Sequence, residues 1–237
     1  MSEIMDDVGK PAVETVDLWR IYKTGSLEVP ALRGVNLCVE QGSFIVVKGR
    51  SGSGKTTLLN CIGGLDQPTK GSVHIMGQEL AGMDDEALTR WRGKQVGFVF
   101  QSFGLLPTLS AFENVELMLR LTGQGVDRGR QRAMYCLELV GLKKWVRHRP
   151  YEMSGGQQQR VAIARALANN PILILADEPT GELDSSTSRE IYRLFRRIVD
   201  EERVTLILSS HDPLADEYVD TIYQLRDGQI VNSQPRA

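Results

Sequence analysis

The sequence has 237 residues, 41% hydrophobic and 24% charged, which suits one large soluble domain or one domain carrying an insertion. Lys and Arg number 28 against 30 Asp and Glu, a net charge of −2, which argues against a nucleic-acid binder that works through a broad basic surface but leaves room for one small phosphate pocket. Three cysteines, Cys38, Cys61 and Cys136, without a C-x-x-C pair or His at ligand spacing, argue against a disulfide framework and a structural zinc site.

In chain order, residues 1–12 read as a loose polar tail, and Met1 to Asp7 is acidic with no apolar stretch of a secretory leader. Residues 13–47 read as strands and turns, ending in the branched apolar run Phe44-Ile45-Val46-Val47, a buried strand. A glycine-rich segment, Gly49 to Thr56, follows, and Thr57 to Ile62 reads as a helix stopped by Gly63-Gly64. Residues 65–100 look strand-rich at both ends, at Ser72 to Ile75 and at Val96 to Phe100. From about 110 to 170 the pattern turns helical. Ser110 with Glu113 forms a capping box, and Ser154 caps a helix with Val161, Ala164 and Ala168 on one face, stopped by Asn169-Asn170-Pro171. Ile172 to Ala176 is a strand. Ile191, Leu194, Phe195, Ile198 and Val199 mark an amphipathic helix whose other face carries charges such as Arg196 and Asp200, and Val204 to Leu208 is a further strand. The order is α/β with a helical stretch between two β-containing parts. The longest apolar runs are about five residues, against the roughly 20 of a membrane span.

Gly49-Arg50-Ser51-Gly52-Ser53-Gly54-Lys55-Thr56 is a complete G-x-x-x-x-G-K-[ST], with a strand before it and a helix after it. Gly52 and Gly54 let the backbone turn so that successive N–H groups face phosphate oxygens, and the helix that follows, through Thr57, adds its N-terminal dipole. Lys55 brings a compact charge to the β- and γ-phosphates, and the Thr56 hydroxyl suits Mg²⁺. Downstream, Ile172 to Ala176 delivers Asp177 and Glu178 at the C-terminal end of a buried strand, where open α/β sheets bind ligands. Adjacent carboxylates point in different directions, so two roles fit: Asp177 for Mg²⁺, through water, and Glu178 as the base that polarises the attacking water.

Met153-Ser154-Gly155-Gly156-Gln157, just upstream of that strand, resembles the signature motif of the ATP-binding-cassette (ABC) ATPases, and the resemblance covers roughly residues 13–230. It implies an α/β P-loop NTPase with a RecA-like core, an ABC β-subdomain and an inserted helical subdomain at about 102–170, all within one domain, 13–237. It also implies that the Ser154-Gly155-Gly156-Gln157 turn binds nucleotide held by the opposite subunit. By order along the chain, Gln101 resembles the Q-loop glutamine that contacts Mg²⁺ or the water, and Gly181 to Asp184 resembles the D-loop that touches the other subunit's site. His211 resembles the switch histidine at the γ-phosphate, and Tyr22 the aromatic that stacks on adenine. Arg50, Lys48, Met153 and Glu182 depart from the family's commonest residues, and none of these removes a catalytic group.

Gly64 to Gly71 and Gly97 to Gln101 further resemble the subgroup of macrolide exporters, lipoprotein-release complexes, antimicrobial-peptide-resistance transporters and the cell-division system. That likeness implies a head-to-tail, ATP-sandwiching homodimer that drives an integral membrane permease. The chain would then be cytoplasmic and peripheral on the inner face of the membrane, with no nucleic-acid partner. Phe103-Gly104-Leu105-Leu106-Pro107 puts three large apolar residues beside a Pro in a loop, which either form a docking surface or fold inward. Two other readings remain: a regulatory or scaffolding subunit that binds ATP with little turnover, and a soluble ABC ATPase acting on DNA or the ribosome. The intact Glu178 and His211 speak against the first, and a single cassette without a heptad array against the second.

Overall fold

The computed structural model describes residues 9–235, so residues 1–8 of the expected tail lie outside it. The chain is anchored before the expected domain start. Ala12 is buried, its N–H donates to the Val39 carbonyl at 2.8 Å, and its own carbonyl accepts from Met76 N–H at 3.0 Å.

Two sheets build the frame. The first is a four-stranded antiparallel sheet of β1 (Val13–Thr24), β2 (Leu27–Val39), β4 (Lys70–Ile75) and β5 (Gln78–Glu79), in the order β2-β1-β4-β5. The second has six strands in the order β10-β9-β3-β8-β7-β6. It comprises β3 (Phe44–Lys48), β6 (Val96–Phe100), β7 (Leu173–Asp177), β8 (Thr205–Ser209), β9 (Thr221–Arg226) and β10 (Gln229–Pro235). Only the β9–β10 pair is antiparallel. Central β8 is buried at every position, as a parallel strand covered on both faces must be.

Strand alternation divides the core into two halves. Phe44, Val46, Ile174, Ala176, Leu206 and Leu208 face one half, where they meet α5 (Gly155–Leu167) and α6 (Ser185–Glu202). Phe44 packs edge-on against Phe195 of α6, centroids 6.3 Å apart. Ile45, Val47, Leu173, Leu175 and Ile207 face the other half, against α1 (Lys55–Ile62) and the antiparallel sheet. Each such Val, Leu or Ile side chain contributes roughly 1.5–3 kcal/mol of transfer free energy. The stripe expected on α6 is the buried one, and Arg196 pairs with Asp200 at 2.7 Å on its outer face.

Between the two strand-rich ends expected in 65–100 lies a helix that the sequence reading did not assign, α2 (Asp85–Gln95). Its only buried residue is Leu88, so it has no apolar stripe to betray it; it forms because Asp84 caps it, accepting from Ala87 N–H at 2.7 Å, with Asp85 and Glu86 in the first turn. Strands β6 and β7 lie side by side, yet residues 101–172 separate them, and every regular element between them is helical: α3 (Ala111–Leu121), α4 (Val126–Leu139), a 3-10 turn at Pro150–Glu152, and α5. Ser110–Glu113 and Ser154–Gln157 both form reciprocal capping boxes at the starts of α3 and α5.

The parallel register fixes where chemistry can happen. Val47, Ser209, Asp177 and Phe100 stand in one row across β3, β8, β7 and β6. The residues that follow each of them leave the sheet along the same edge, the ligand crevice of a doubly wound fold.

Candidate nucleotide site

The phosphate loop leaves β3 and closes on α1. Gly54 caps α1 at φ 105°, and a Cβ there would come within 2.5 Å of the Ala31 carbonyl. Gly49 is needed for approach alone, since a Cβ would meet the Leu225 carbonyl at 2.3 Å. Ser53 N–H donates to the Arg50 carbonyl at 3.1 Å, which tightens the turn. Lys55 Nζ curls back under the loop, donating to the Gly49 carbonyl at 2.9 Å and to that of Arg50 at 3.4 Å.

From the neighbouring strands come the acids. The Thr56 hydroxyl donates to Asp177 Oδ2 at 2.8 Å, and Ser209 Oγ holds the other Asp177 oxygen. Glu178 lies one residue beyond the end of β7, at φ 46°. That left-handed backbone costs a residue with a Cβ about 1–2 kcal/mol. The surroundings impose it: Glu178 N–H donates to the carbonyl and Oγ of Ser209, both at 3.1 Å, and its own carbonyl accepts from Gly181 N–H at 3.0 Å. The result turns Glu178 away from Asp177. Its Oε1 lies 3.4 Å from Lys55 Nζ and its Oε2 lies 2.9 Å from His211 Nδ1. Gln101 reaches the same place, its amide 3.0 Å from where a Gly181 Cβ would stand.

These residues line a cleft of about 670 Å³: Arg50, Ser51, Gly52, Gly54, Lys55, Thr56 and Thr57 from the loop and helix, and Gln101, Asp177, Glu178 and His211 from the strand ends. Gly49 and Ser53 line an adjoining cavity. Tyr22, on β1, is not among the residues that line this cleft. Its hydroxyl donates to Asp66 Oδ2 at 2.6 Å, and the Arg20 guanidinium lies 4.5 Å from its ring centroid while also pairing with Asp66 at 2.7 Å. Burial, and next the Asp66 carboxylate, push the Tyr22 phenol above its ordinary range. Sequence reasoning did not find this Asp66 anchor, which sits in the Leu65-Asp66-Gln67-Pro68 turn 44 residues away.

The signature turn and Asp184 lie elsewhere. None of Ser154, Gly155, Gly156 and Gln157 lines the cleft. Ser154 Oγ accepts from Gln157 N–H at 3.3 Å, the Gln157 side chain accepts from Ser154 N–H at 2.9 Å, and Ser154 is exposed. The glycines fit close neighbours, for a Cβ on Gly156 would meet Thr187 at 2.5 Å and one on Gly155 would meet Leu183 at 3.2 Å. Asp184 caps α6. Its carboxylate accepts from the hydroxyls and N–H groups of Ser186 and Thr187, with the Ser186 hydroxyl foremost, which holds it well below the usual carboxylate range. Lys48, unusual before such a loop, bonds both oxygens of Asp216 at 2.7 and 2.9 Å and so ties β3 to the turn after His211.

Behind Gln101, the Arg165 guanidinium of α5 donates to the carbonyls of Phe103 (3.0 Å) and Gly104. Of the three apolar residues of this loop, Leu105 packs on the core, Phe103 is half-buried, and Leu106 is 45% exposed at the rim of a groove of about 260 Å³.

Thr56, Asp177 and Gln101 offer a hydroxyl, a carboxylate and an amide oxygen, the hard donor set that Mg²⁺ takes when phosphates and water supply the rest. Among the described residues no group of three or more His, Cys, Asp or Glu is placed to hold a metal by itself.

A glycine-rich loop wrapped around its lysine, with two adjacent acids at the C-terminal end of the parallel strand β7, defines a P-loop nucleoside-triphosphatase. The family profile described as "ABC transporter" matches residues 32–181. The chain is 48% identical over 92% of its length to 31% of a macrolide export ATP-binding/permease protein from Syntrophobacter fumaroxidans. It is 43% identical over 97% of its length to 97% of a lipoprotein-releasing system ATP-binding protein from Anaeromyxobacter dehalogenans. Among solved structures it is similar to an ATP-binding cassette of Methanocaldococcus jannaschii, a dimer in a post-hydrolysis state with ADP and Pi; the TM-score is 0.86, with 43% identity, covering 95% of this chain and 99% of that one. The chain belongs to the ABC transporter family. It is an ATP-binding, ATP-hydrolysing cassette of the α/β P-loop class, in the subgroup that the sequence resembles.

Proposed function

We propose that this chain is the ATPase subunit of a membrane transporter, working as a head-to-tail homodimer that closes on two MgATP and opens after hydrolysis. The observation that carries the reading is the unbroken run of contacts from Lys55 through Glu178 to His211, beside the Thr56–Asp177 bond. The loop N–H groups and Lys55 bind the triphosphate, Glu178 takes the proton of the attacking water, and His211 orients Glu178 and meets the terminal phosphate. Thr56, Asp177 and Gln101 would hold Mg²⁺, which neutralises phosphate charge. Tyr22 offers the base a ring face opposite Arg20.

The homodimer reading has its own support. Ser154 is exposed, the turn opens a helix whose dipole suits a phosphate, and it lies outside its own cleft, so in this reading a second copy brings the turn to the phosphate. The Methanocaldococcus cassette is described as dimeric. Ser154→Asp tests this step, because Asp is as good a helix cap as Ser but adds a charge that repels phosphate. The variant is expected to melt as the wild type does and to bind ATP as a monomer, with ATP-driven dimerisation and turnover reduced at least tenfold. Normal turnover in this variant would sink the sandwich.

We assign the helical excursion of about 102–170 as the subdomain that faces the permease, and the groove beside exposed Leu106 as its docking point. The relative from Syntrophobacter is named for both ATP-binding and permease functions, and this chain matches 31% of it, which supports a permease as the cassette's partner. No described helix is long and apolar enough to cross a membrane. We place the chain on the cytoplasmic side, peripheral to the membrane through its permease, in export, lipoprotein extraction or mechanical signalling, on its likeness to the lipoprotein-releasing and macrolide-export relatives. Leu106→Asp is expected to abolish co-purification with the permease; undiminished co-purification moves the docking point elsewhere.

A further inference from the structure

The loops that carry Glu178 and His211 share one buried side chain that the mechanism above does not use. Tyr192 of α6 is fully buried, among the largest such side chains in the molecule. Its hydroxyl lies 2.7 Å from Thr180 Oγ1, 3.2 Å from Asp212 Oδ2 and 3.4 Å from Ser210 Oγ. A phenol has one proton and two lone pairs. The carboxylate of Asp212 takes the proton, so the Thr180 hydroxyl donates to Tyr192, and the longer Ser210 contact fills the remaining position. Ser210 Oγ in turn accepts from Asp212 N–H at 3.0 Å. Burial keeps this phenol protonated at any working pH, its pKa pushed up to about 12.

The sequence positions give the network its meaning. Thr180 is two residues beyond Glu178, and Ser210 and Asp212 flank His211. Glu178 itself stands in the left-handed region, a conformation that lasts only where the surroundings over-determine it. On its N-terminal side Ser209 supplies two acceptors. On its C-terminal side the Gly181 N–H closes the turn, and Thr180, 6% exposed, is pinned by Tyr192. The Glu178–His211 contact at 2.9 Å joins two loops that come from different strands, β7 and β8. Tyr192 ties the same two loops together from the buried side.

We propose that Tyr192 is a positioning residue for ATP hydrolysis: through one hydroxyl it fixes the loop bearing Glu178 against the loop bearing His211. The proposal rests on the reading of Glu178 as the base. It predicts an effect on the chemical step and not on nucleotide binding, because the bonds of the Tyr192 hydroxyl go to Thr180, Ser210 and Asp212, in the loops that carry Glu178 and His211. An ångström of misplacement in a catalytic group costs up to about a hundredfold in rate.

The test is steady-state ATPase kinetics on the purified chain with its permease, for Tyr192→Phe, Thr180→Val, Thr180→Ser and the Tyr192→Phe/Thr180→Val double variant. Tyr192→Phe keeps the ring in the core and removes only the hydroxyl. It is expected to lower kcat about tenfold while KM for ATP stays within twofold. Thr180→Val is expected to match it, and Thr180→Ser, which keeps a hydroxyl, to restore turnover. The double variant should be no slower than either single one, since both break the same bond. A kcat within twofold of wild type for both Tyr192→Phe and Thr180→Val overturns the proposal, as does a loss that falls on KM alone. Glu178→Gln is run alongside: unimpaired turnover there would overturn the underlying assignment of the base, independently of Tyr192.

Discussion

Replacing Glu178 by Gln is expected to cut ATP turnover by a hundredfold or more and to leave a stable ATP-bound dimer in solution. The substitution keeps the size of the side chain and one oxygen, so the contact with His211 Nδ1 can persist and the left-handed turn at residue 178 is not disturbed. What is lost is the ability to take a proton from water, and a positioned general base is worth about 10²–10⁴ in rate. The same change removes a negative charge 3.4 Å from Lys55, so the lysine is no longer shared between the carboxylate and a phosphate, and ATP affinity should hold or rise. With ATP bound and uncleaved, the closed state accumulates, because the ligand that favours it is never consumed. Light scattering with ATP and Mg²⁺ should therefore report twice the mass of the chain. Persistent hydrolysis together with a monomeric mass would take the base role away from Glu178.

Lys55→Ala should have the opposite signature, with nucleotide affinity itself collapsing. Lys55 is 9% exposed at its side chain and is held in place by two carbonyls of the loop it serves. A charged hydrogen bond contributes about 1.5–3 kcal/mol, which is tenfold or more in affinity, and removal also leaves Glu178 facing the phosphates unopposed. Titration with a fluorescent ATP analogue, together with phosphate release, checks this; wild-type binding by the variant would overturn the phosphate-loop assignment. A melting temperature close to that of wild type is expected, since the lysine links no two elements of the hydrophobic core.

The contrast between the two variants also shows what the linear sequence exposes. The phosphate loop and the acid-ended strand were legible because their chemistry is local: a glycine-rich turn, a lysine and a threonine at the helix start, and two acids after the apolar run Ile172 to Ala176. The order of β3, α5, β7, α6 and β8 was legible from apolar periodicity. Helix α2 was not, because it buries only Leu88 and is held by its cap. The partners that hold the site together were hidden for a related reason. Asp66 and Tyr22 are 44 residues apart, Ser209 and Asp177 are 32 apart, and Tyr192 lies 20 residues from Asp212. Nothing in a Tyr on an amphipathic helix distinguishes a hydroxyl that bonds two loops from a ring that fills the core. The parallel register, which brings β8 and β7 into one row, makes Ser209 and Asp177 neighbours, and the antiparallel pairing of β1 with β4 brings the Asp66 turn to Tyr22.

Arg165 sets a mechanical condition on any transporter built from this chain. Its two bonds, to Phe103 and Gly104, fasten the segment after Gln101 to the helix that begins at Ser154. Hydrogen bonds from a charged donor cost about 1.5–3 kcal/mol each to break, so the segment and the helix travel together under ordinary thermal forces. With Leu105 packed on the core and Phe103 beside Gly155, the guanidinium completes a rigid joint between the segment after Gln101 and the start of the signature helix, so a displacement of one is a displacement of the other.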